Sequence, residues 1–382
     1  MHTSKYVVVG AGLAGAATAW QLASRGHEVT LLERSTPANE WGSSHGSARI
    51  FRYAYPELEY TQMVVDAKQG WDELERLSGR QLITPTGAVD HGSVRHPRQL
   101  AENLATVGVE HELLSPEEAQ QRWPQFAFDT EVLCHPGAGV LDAQTTVNTM
   151  VELAVAQGAQ LKTGWELSTV ARSVSGFRLT SSTGEGVETE HLIVCAGGWL
   201  PALLGDLSLP AAFLQQMPSL QVRQEQAYHF PYRETPEASA TPWPTFIHKS
   251  ENLQTYGLPG GRDAGFHGQK VAQFNGGKIL SSARVQDQLM EEANRARVVD
   301  YVTRYLPGVV PEPYAETTCL FTNTPNEDFV LDTVDNITVV SPCSGHGGKF
   351  APLIGEMAAD LATGRGQVPE IFRVFGRDLQ TQ

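Results

Sequence analysis

The chain has 382 residues, enough for about two domains and a sizeable core. Lys and Arg number 28 against 43 Asp and Glu, a net charge of −15, which argues against nucleic acid or an anionic membrane surface as a partner. Four scattered cysteines (Cys134, Cys195, Cys319, Cys343) suit neither a disulfide framework nor a CxxC metal site, and a reducing, cytoplasmic compartment is expected.

Tyr6-Val7-Val8-Val9 reads as a buried parallel strand. Gly10-Ala11-Gly12-Leu13-Ala14-Gly15 follows, then a helix to about Arg25 that Gly26 stops, and a second strand from Glu28 to Leu32. The glycines in Tyr6 to Trp20 break the apolar core a signal peptide needs, and no run reaches the ~18 apolar residues of a membrane span. Asn39 to Ser47 is a Gly/Ser-rich loop. Val64, Ala67, Trp71 and Leu74 mark a helix within Met63 to Leu77. From Gln81 to Asp142 we expect short strands and one helix at Ser115 to Arg122, with a serine N-cap and a proline at its first position.

Thr145 to Gln157 is expected as a helix and His191 to Cys195 as a buried strand before Ala196-Gly197-Gly198. Gln215 to Gly277 is strand-like, punctuated by Pro231, Pro236, Pro242, Pro244 and Pro259. Gln286 to Leu306 reads as helix, Ile337 to Val340 as a strand, and Phe350 to Leu361 as a last amphipathic helix. The fold class is α/β: a Rossmann-type domain (GxGxxG), built from separated segments and interleaved with a mixed-sheet α+β substrate domain. The boundaries fall at 1–82, 145–212 and 318–382 for the first, and 83–144 and 213–317 for the second.

The first glycine motif carries the clearest chemistry. Gly10 permits a tight turn, Gly12 lets the backbone approach a pyrophosphate, and Gly15 lets helix pack on strand. The helix N-terminus favours phosphate. Glu33 ends the second strand, where a carboxylate accepts ribose hydroxyls, with Arg34 beside it. A Gly-rich turn without ligand is the competing explanation, and the coincidence of strand, spacing, helix and acid weighs against it. Arg49 and Arg52, three apart, would share one face of a helical turn, either as a solvated patch or as guanidiniums aimed at an anion. No HxxxH or His/Cys ligand spacing occurs, so no metal is expected.

Several motifs together resemble one family. Gly42-Ser43-Ser44-His45-Gly46-x-x-Arg49-x-x-Arg52 with Tyr53-Ala54-Tyr55 is similar to the monomeric sarcosine oxidase and N-methyltryptophan oxidase family, within the FAD-dependent amino-acid oxidase (DAO-type) superfamily. So are Arg122-Trp123-Pro124, Tyr256-Gly257-Leu258-Pro259, Cys319 to Phe329, and Ser344-Gly345-His346-Gly347-Gly348-Lys349-Phe350. The resemblance runs from near residue 5 to about 365.

It implies FAD as cofactor, held by Gly10, Gly12, Leu13, Ala14, Gly15, Glu33, Arg34, Ser43, Ser44, His45, Arg49, Gly197, Trp199, Gly345, Gly347, Gly348 and Lys349. Cys319 matches the cysteine that joins the flavin through a thioether, which needs a thiolate and hence an electropositive site. Arg52 and Lys349 match the anchors of a substrate carboxylate. Arg49, His45 and Tyr256 match residues beside the flavin or in the active site. Lys270 matches the lysine that promotes oxygen reduction. The implied reaction is oxidation of an N-methyl amino acid with O2 to an imine, then formaldehyde, and H2O2, by a monomer. An oxidase of a cyclic imino acid and a dehydrogenase using another carrier are the alternatives. Phe274 stands where the family often has His, Ser47-Ala48 where it usually has Asp-Thr, and Gly348-Lys349 where it usually has Gly-Phe-Lys. These departures bear on the substrate rather than on the flavin.

Overall fold

A computed structural model describes residues 2–234 and 242–375, so Pro236 and the end of the last expected segment lie outside the described residues. The opening apolar run forms β1 (His2–Val9), and it alternates across the sheet as a strand must. Tyr6 and Val8 face one core, Val7 and Val9 another, which explains the unbroken apolar text. Parallel neighbours flank it: Gly186–Val194 on one side and β2 (Val29–Leu32) on the other. Gln160–Lys162 extends the sheet beyond β2, and Ile337–Ser341 adds to the end of Gly186–Val194, both in parallel. Three distant stretches of chain therefore build one α/β sheet. Leu167–Ser173, Gly176–Ser181 and Val330–Val334 join it antiparallel.

The helix α1 (Leu13–Ser24) packs on this sheet between Ala143–Ala156 and Ala351–Thr363. Small residues allow the close approach. A Cβ built on Gly355 would lie 2.5 Å from the Ala17 backbone. Gly26, at φ +77°, follows the last turn of α1 as the sequence suggests.

A second, mixed sheet is organised around Gln221–Pro231, which pairs antiparallel with Ala315–Asn323, Gly268–Gln273 and Lys278–Leu280. It continues through Gln254–Pro259, Thr245–Lys249, Ala88–His91, Val132–His135 and Glu112–Leu114. Among the described residues only Thr245–Lys249 with Ala88–His91 is a parallel pair in this sheet. A small third sheet sets Arg49–Phe51 and Ile83–Pro85 against Gly139–Leu141.

Two local expectations need correction. The helix expected over Gln286 to Leu306 occupies only Glu292–Tyr305. The preceding residues instead dock on Gln224, whose side chain bonds Asp287, Gln288 and Leu289. Pro97–Thr106 is a further helix, started by proline after His96 at φ +55°, in a stretch where only the Ser115 helix was expected. Ser115 itself caps Pro116–Arg122 with a reciprocal Glu118 bond.

Candidate active site

One cavity of about 460 Å³ runs from the β1–α1 turn to the second sheet. At its nucleotide end Gly10, Gly12, Leu13 and Ala14 line it, with Glu33, Arg34, Gly197 and Trp199. Gly10 sits at φ +99°, against the Cys195 carbonyl. Gly15 does not line the cavity. A Cβ there would lie 1.8 Å from the Gly10 carbonyl oxygen, so it spaces helix from strand behind the site, a correction to its placement among the contact residues. Glu33 is buried and ordered. Its Oε2 accepts the Ala11 amide at 2.8 Å and its Oε1 the Ser35 amide at 2.8 Å, which leaves acceptor capacity for a ligand hydroxyl. Arg34 lies over the Trp199 ring at 4.7 Å.

The loop after Asn39 ties the sheets together. Ser44 Oγ accepts the Leu13 amide, and Ser43 Oγ donates to the Leu320 carbonyl. Arg49 donates to the Ser43 and Ala48 carbonyls. His45 is neutral, its pKa pushed down to about 3 by burial and by the charges of Arg49 and Lys270.

Arg49 and Arg52 do not share a face, contrary to the helical expectation. Arg49–Phe51 is a strand paired with Gly139–Leu141, and extended backbone sends residues three apart to opposite sides. Arg49 accordingly bears on Lys270 and Cys319, whereas Arg52 turns to Tyr55 and the Ala54 carbonyl.

Two charged groups result within the one cavity. In the first, Lys270 is buried and donates to the Ala48 carbonyl at 3.4 Å. Burial and Arg49 push its pKa down to about 8. Cys319 stands on Ala315–Asn323, which pairs with the same strand, Gln221–Pro231, as the strand of Lys270 does. Arg49 and Lys270 favour its thiolate, but burial outweighs them and pushes the thiol up, opposite to the lowered pKa that a thiolate site leads one to expect. Asp263 acts on Lys270 as well and accepts the Ser47 amide at 2.9 Å. In the second group, Lys349 Nζ donates to Tyr55 Oη at 2.9 Å and to the His346 carbonyl at 2.8 Å. Tyr55 Oη lies 3.0 Å from His346 Nδ1, and His346 Nε2 lies 2.9 Å from the Glu327 carbonyl. Burial and Arg52 hold Lys349 well below the ordinary lysine value. Trp71 Nε1 donates to the Lys349 carbonyl at 2.7 Å, fixing the start of the last helix.

Tyr256, Gly345, Gly347 and Gly348 line the same space. Sequence reasoning missed Tyr55 as a site residue, although its motif was visible, and missed Asp263 and Lys249, which no motif marks. Away from the cavity, the fold gathers His91, Asp129 and His248 from three separate positions. The two imidazoles stack at 4.1 Å and 25° between planes, so their in-plane lone pairs do not converge on one ion.

The cavity fits a flavin dinucleotide. Gly10 and Gly12 keep the phosphate turn free of side chains, α1 begins there, and Glu33 ends β2. Trp165 Nε1, Trp199 Nε1 and His45 Nε2 are buried on its wall without a partner among the described residues. The fold and site are those of a flavin-dependent oxidoreductase.

Comparison with known proteins places the chain further. The FAD dependent oxidoreductase family model matches residues 5–361, and the chain belongs to that family. It is 32% identical over 378 residues to the monomeric sarcosine oxidase of Streptomyces avermitilis, covering 94% of each chain. It is 28% identical over 370 residues to the N-methyl-L-tryptophan oxidase of Escherichia coli, covering 93% of this chain and 94% of that one. Among solved structures, NikD, an amino acid oxidase essential for nikkomycin biosynthesis, superposes with a TM-score of 0.82 at 23% identity, over 97% of this chain and 96% of that one. The protein is an FAD-dependent enzyme of the class acting on CH–NH bonds. No helix among the described residues is long and apolar enough to cross a membrane.

Proposed function

We propose that the enzyme oxidises a secondary-amine amino acid, sarcosine or another N-methyl amino acid, with dioxygen. The amine loses two electrons and two protons to become an imine. Water adds to the imine and releases formaldehyde and the primary amine, while dioxygen takes the electrons and protons as hydrogen peroxide. FAD, when bound, supplies the two-electron acceptor between the two half-reactions. Gly10, Gly12, Glu33, Ser43, Ser44 and the Gly345–Gly348 turn would hold it, with Cys319 as the point of covalent attachment.

The observation that carries this is the Arg52, Tyr55 and Lys349 group sharing one cavity with Lys270, Arg49 and Cys319. Lys349 spends two donors on Tyr55 and His346 and keeps a third for a carboxylate, and Arg52 adds a planar guanidinium. A bound carboxylate would restore the charge that burial disfavours on Lys349. His346, held neutral with its pKa near 3, fixes Tyr55 rather than taking a proton. A substrate amine that binds uncharged needs no side chain as base. Lys270 places an ammonium where negative charge develops on dioxygen. Sequence likeness to monomeric sarcosine oxidase supports a monomer, and we place it in the cytoplasm.

The test is oxygen consumption by the FAD-loaded enzyme over N-methyl amino acids, cyclic imino acids and the amides of each. Turnover of N-methyl acids with peroxide and formaldehyde, and none with the amides, is expected. Turnover of cyclic imino acids alone would give the substrate to that class, and activity on amides equal to acids would remove Arg52 and Lys349 from their role.

A further inference from the structure

Lys249 ends the strand Thr245–Lys249, and it belongs to no motif of the sequence. It lines the cavity at the end that holds Arg52, Tyr55 and Lys349. Its Nζ lies 5.5 Å from the Phe274 ring, and Phe274 in turn packs on Phe321 at 6.0 Å between centroids. Among the described residues that ammonium has no hydrogen bond and no ion pair. Half-buried, it is held below the ordinary lysine value by desolvation and by the charges of Arg95 and Arg52.

The charges around it do not balance. Arg95 and Asp90 form a buried pair at 2.6 Å and cancel. That leaves Arg52, Lys349 and Lys249 facing Glu327, with Glu57 solvated on the exposed rim. With Glu327 acting on Lys249 and one substrate carboxylate on Arg52 and Lys349, three cations face two anions, which leaves one positive charge in excess. The Phe274 and Phe321 rings form an apolar wall leading to Lys249, which suits a short methylene segment ending in a carboxylate.

We infer that Lys249 is the anchor of a second carboxylate, so that the enzyme prefers a secondary amine bearing two carboxylates over one bearing a single carboxylate. This rests on the amine-oxidase function proposed above. The second carboxylate can sit on the amino-acid side chain, as in N-methyl-glutamate, or on the nitrogen substituent, as in iminodiacetate. The shared chemistry is a secondary-amine dicarboxylate.

The experiment measures kcat/KM of the FAD-loaded enzyme for sarcosine, N-methyl-L-alanine, N-methyl-L-aspartate, N-methyl-L-glutamate and iminodiacetate. At least one dicarboxylate should exceed its monocarboxylate counterpart tenfold or more, chiefly through KM. The N-methyl diacids and iminodiacetate separate the two sources. In Lys249→Met the dicarboxylate-to-monocarboxylate ratio should fall at least tenfold, and Lys249→Arg should restore most of it. Inhibition of the unaltered enzyme by thiodiacetate against methylthioacetate, with sulfur in place of the amine, requires no variant and should favour the diacid. Turnover of sarcosine with no preference for any dicarboxylate, or a preference that survives Lys249→Met, overturns the second anchor alone. Failure of every secondary amine to react overturns the parent function together with it.

Discussion

Lys270 shows how much a single position can carry. Its strand places it in register with His229 and Leu258, and burial with Arg49 pushes its pKa down to about 8. Lys270→Met should slow reoxidation of the reduced enzyme by dioxygen at least a hundredfold, with reduction by substrate changed only a few-fold, as stopped-flow mixing of each half-reaction would show. The pH dependence has a definite sign. The ammonium is lost as pH rises through about 8, so reoxidation should slow above that pH. Stability moves the other way. The folded value lies below the ordinary 10.5, so between about pH 8 and 10.5 the unfolded chain binds more protons, and the FAD-free protein should gain stability with pH from this group in denaturant titrations. Cys319 gives a simpler test. Acid precipitation should leave the pellet yellow for the unaltered protein and colourless for Cys319→Ala, and a yellow Cys319→Ala pellet would move the attachment elsewhere. Cys319 was legible through its surrounding motif, but the burial that raises its thiol was not, because that depends on strands paired across the second sheet.

At the scale of elements, legibility followed the range of the interactions. The β1–α1–β2 unit could be read from an apolar run, three glycines and an acid, since each acts on neighbours within a few residues. Arg49 and Arg52 could not, because the strand Arg49–Phe51 that carries the one and leads into the other exists through pairing with Gly139–Leu141, some ninety positions later, and that pairing replaces a helical period by an extended one. The start of the helix at Glu292 was hidden for the same reason: Gln224 claims the backbone of residues 287–289. Gly15 gives the element-level prediction. With 1.8 Å between an added Cβ and the Gly10 carbonyl oxygen, Gly15→Ala must push α1 away from β1. Overpacking of this kind costs about 1–3 kcal/mol or more. A lower melting temperature and reduced FAD content in the purified protein are expected, and retention of both would show that the helix can shift without penalty.

The molecule as a whole joins an acidic exterior to a cationic interior. The net charge is −15, while Arg49, Arg52, Lys249, Lys270 and Lys349 converge on one cavity from four separated stretches of chain. Sequence likeness indicated four of the five. Lys249 escaped because no motif marks it and its meaning appears only once the charges at that end are balanced. The central claim is that this cavity oxidises a carboxylate-bearing secondary amine. The most direct measurement is anaerobic mixing of the FAD-loaded enzyme with N-methyl amino acids while flavin absorbance is followed, then admission of air and assay of formaldehyde. Bleaching by at least one N-methyl acid but not by its amide, with recovery in air and one formaldehyde per flavin reduced, is the predicted result. Flavin that stays oxidised with every carboxylate-bearing secondary amine would contradict the account.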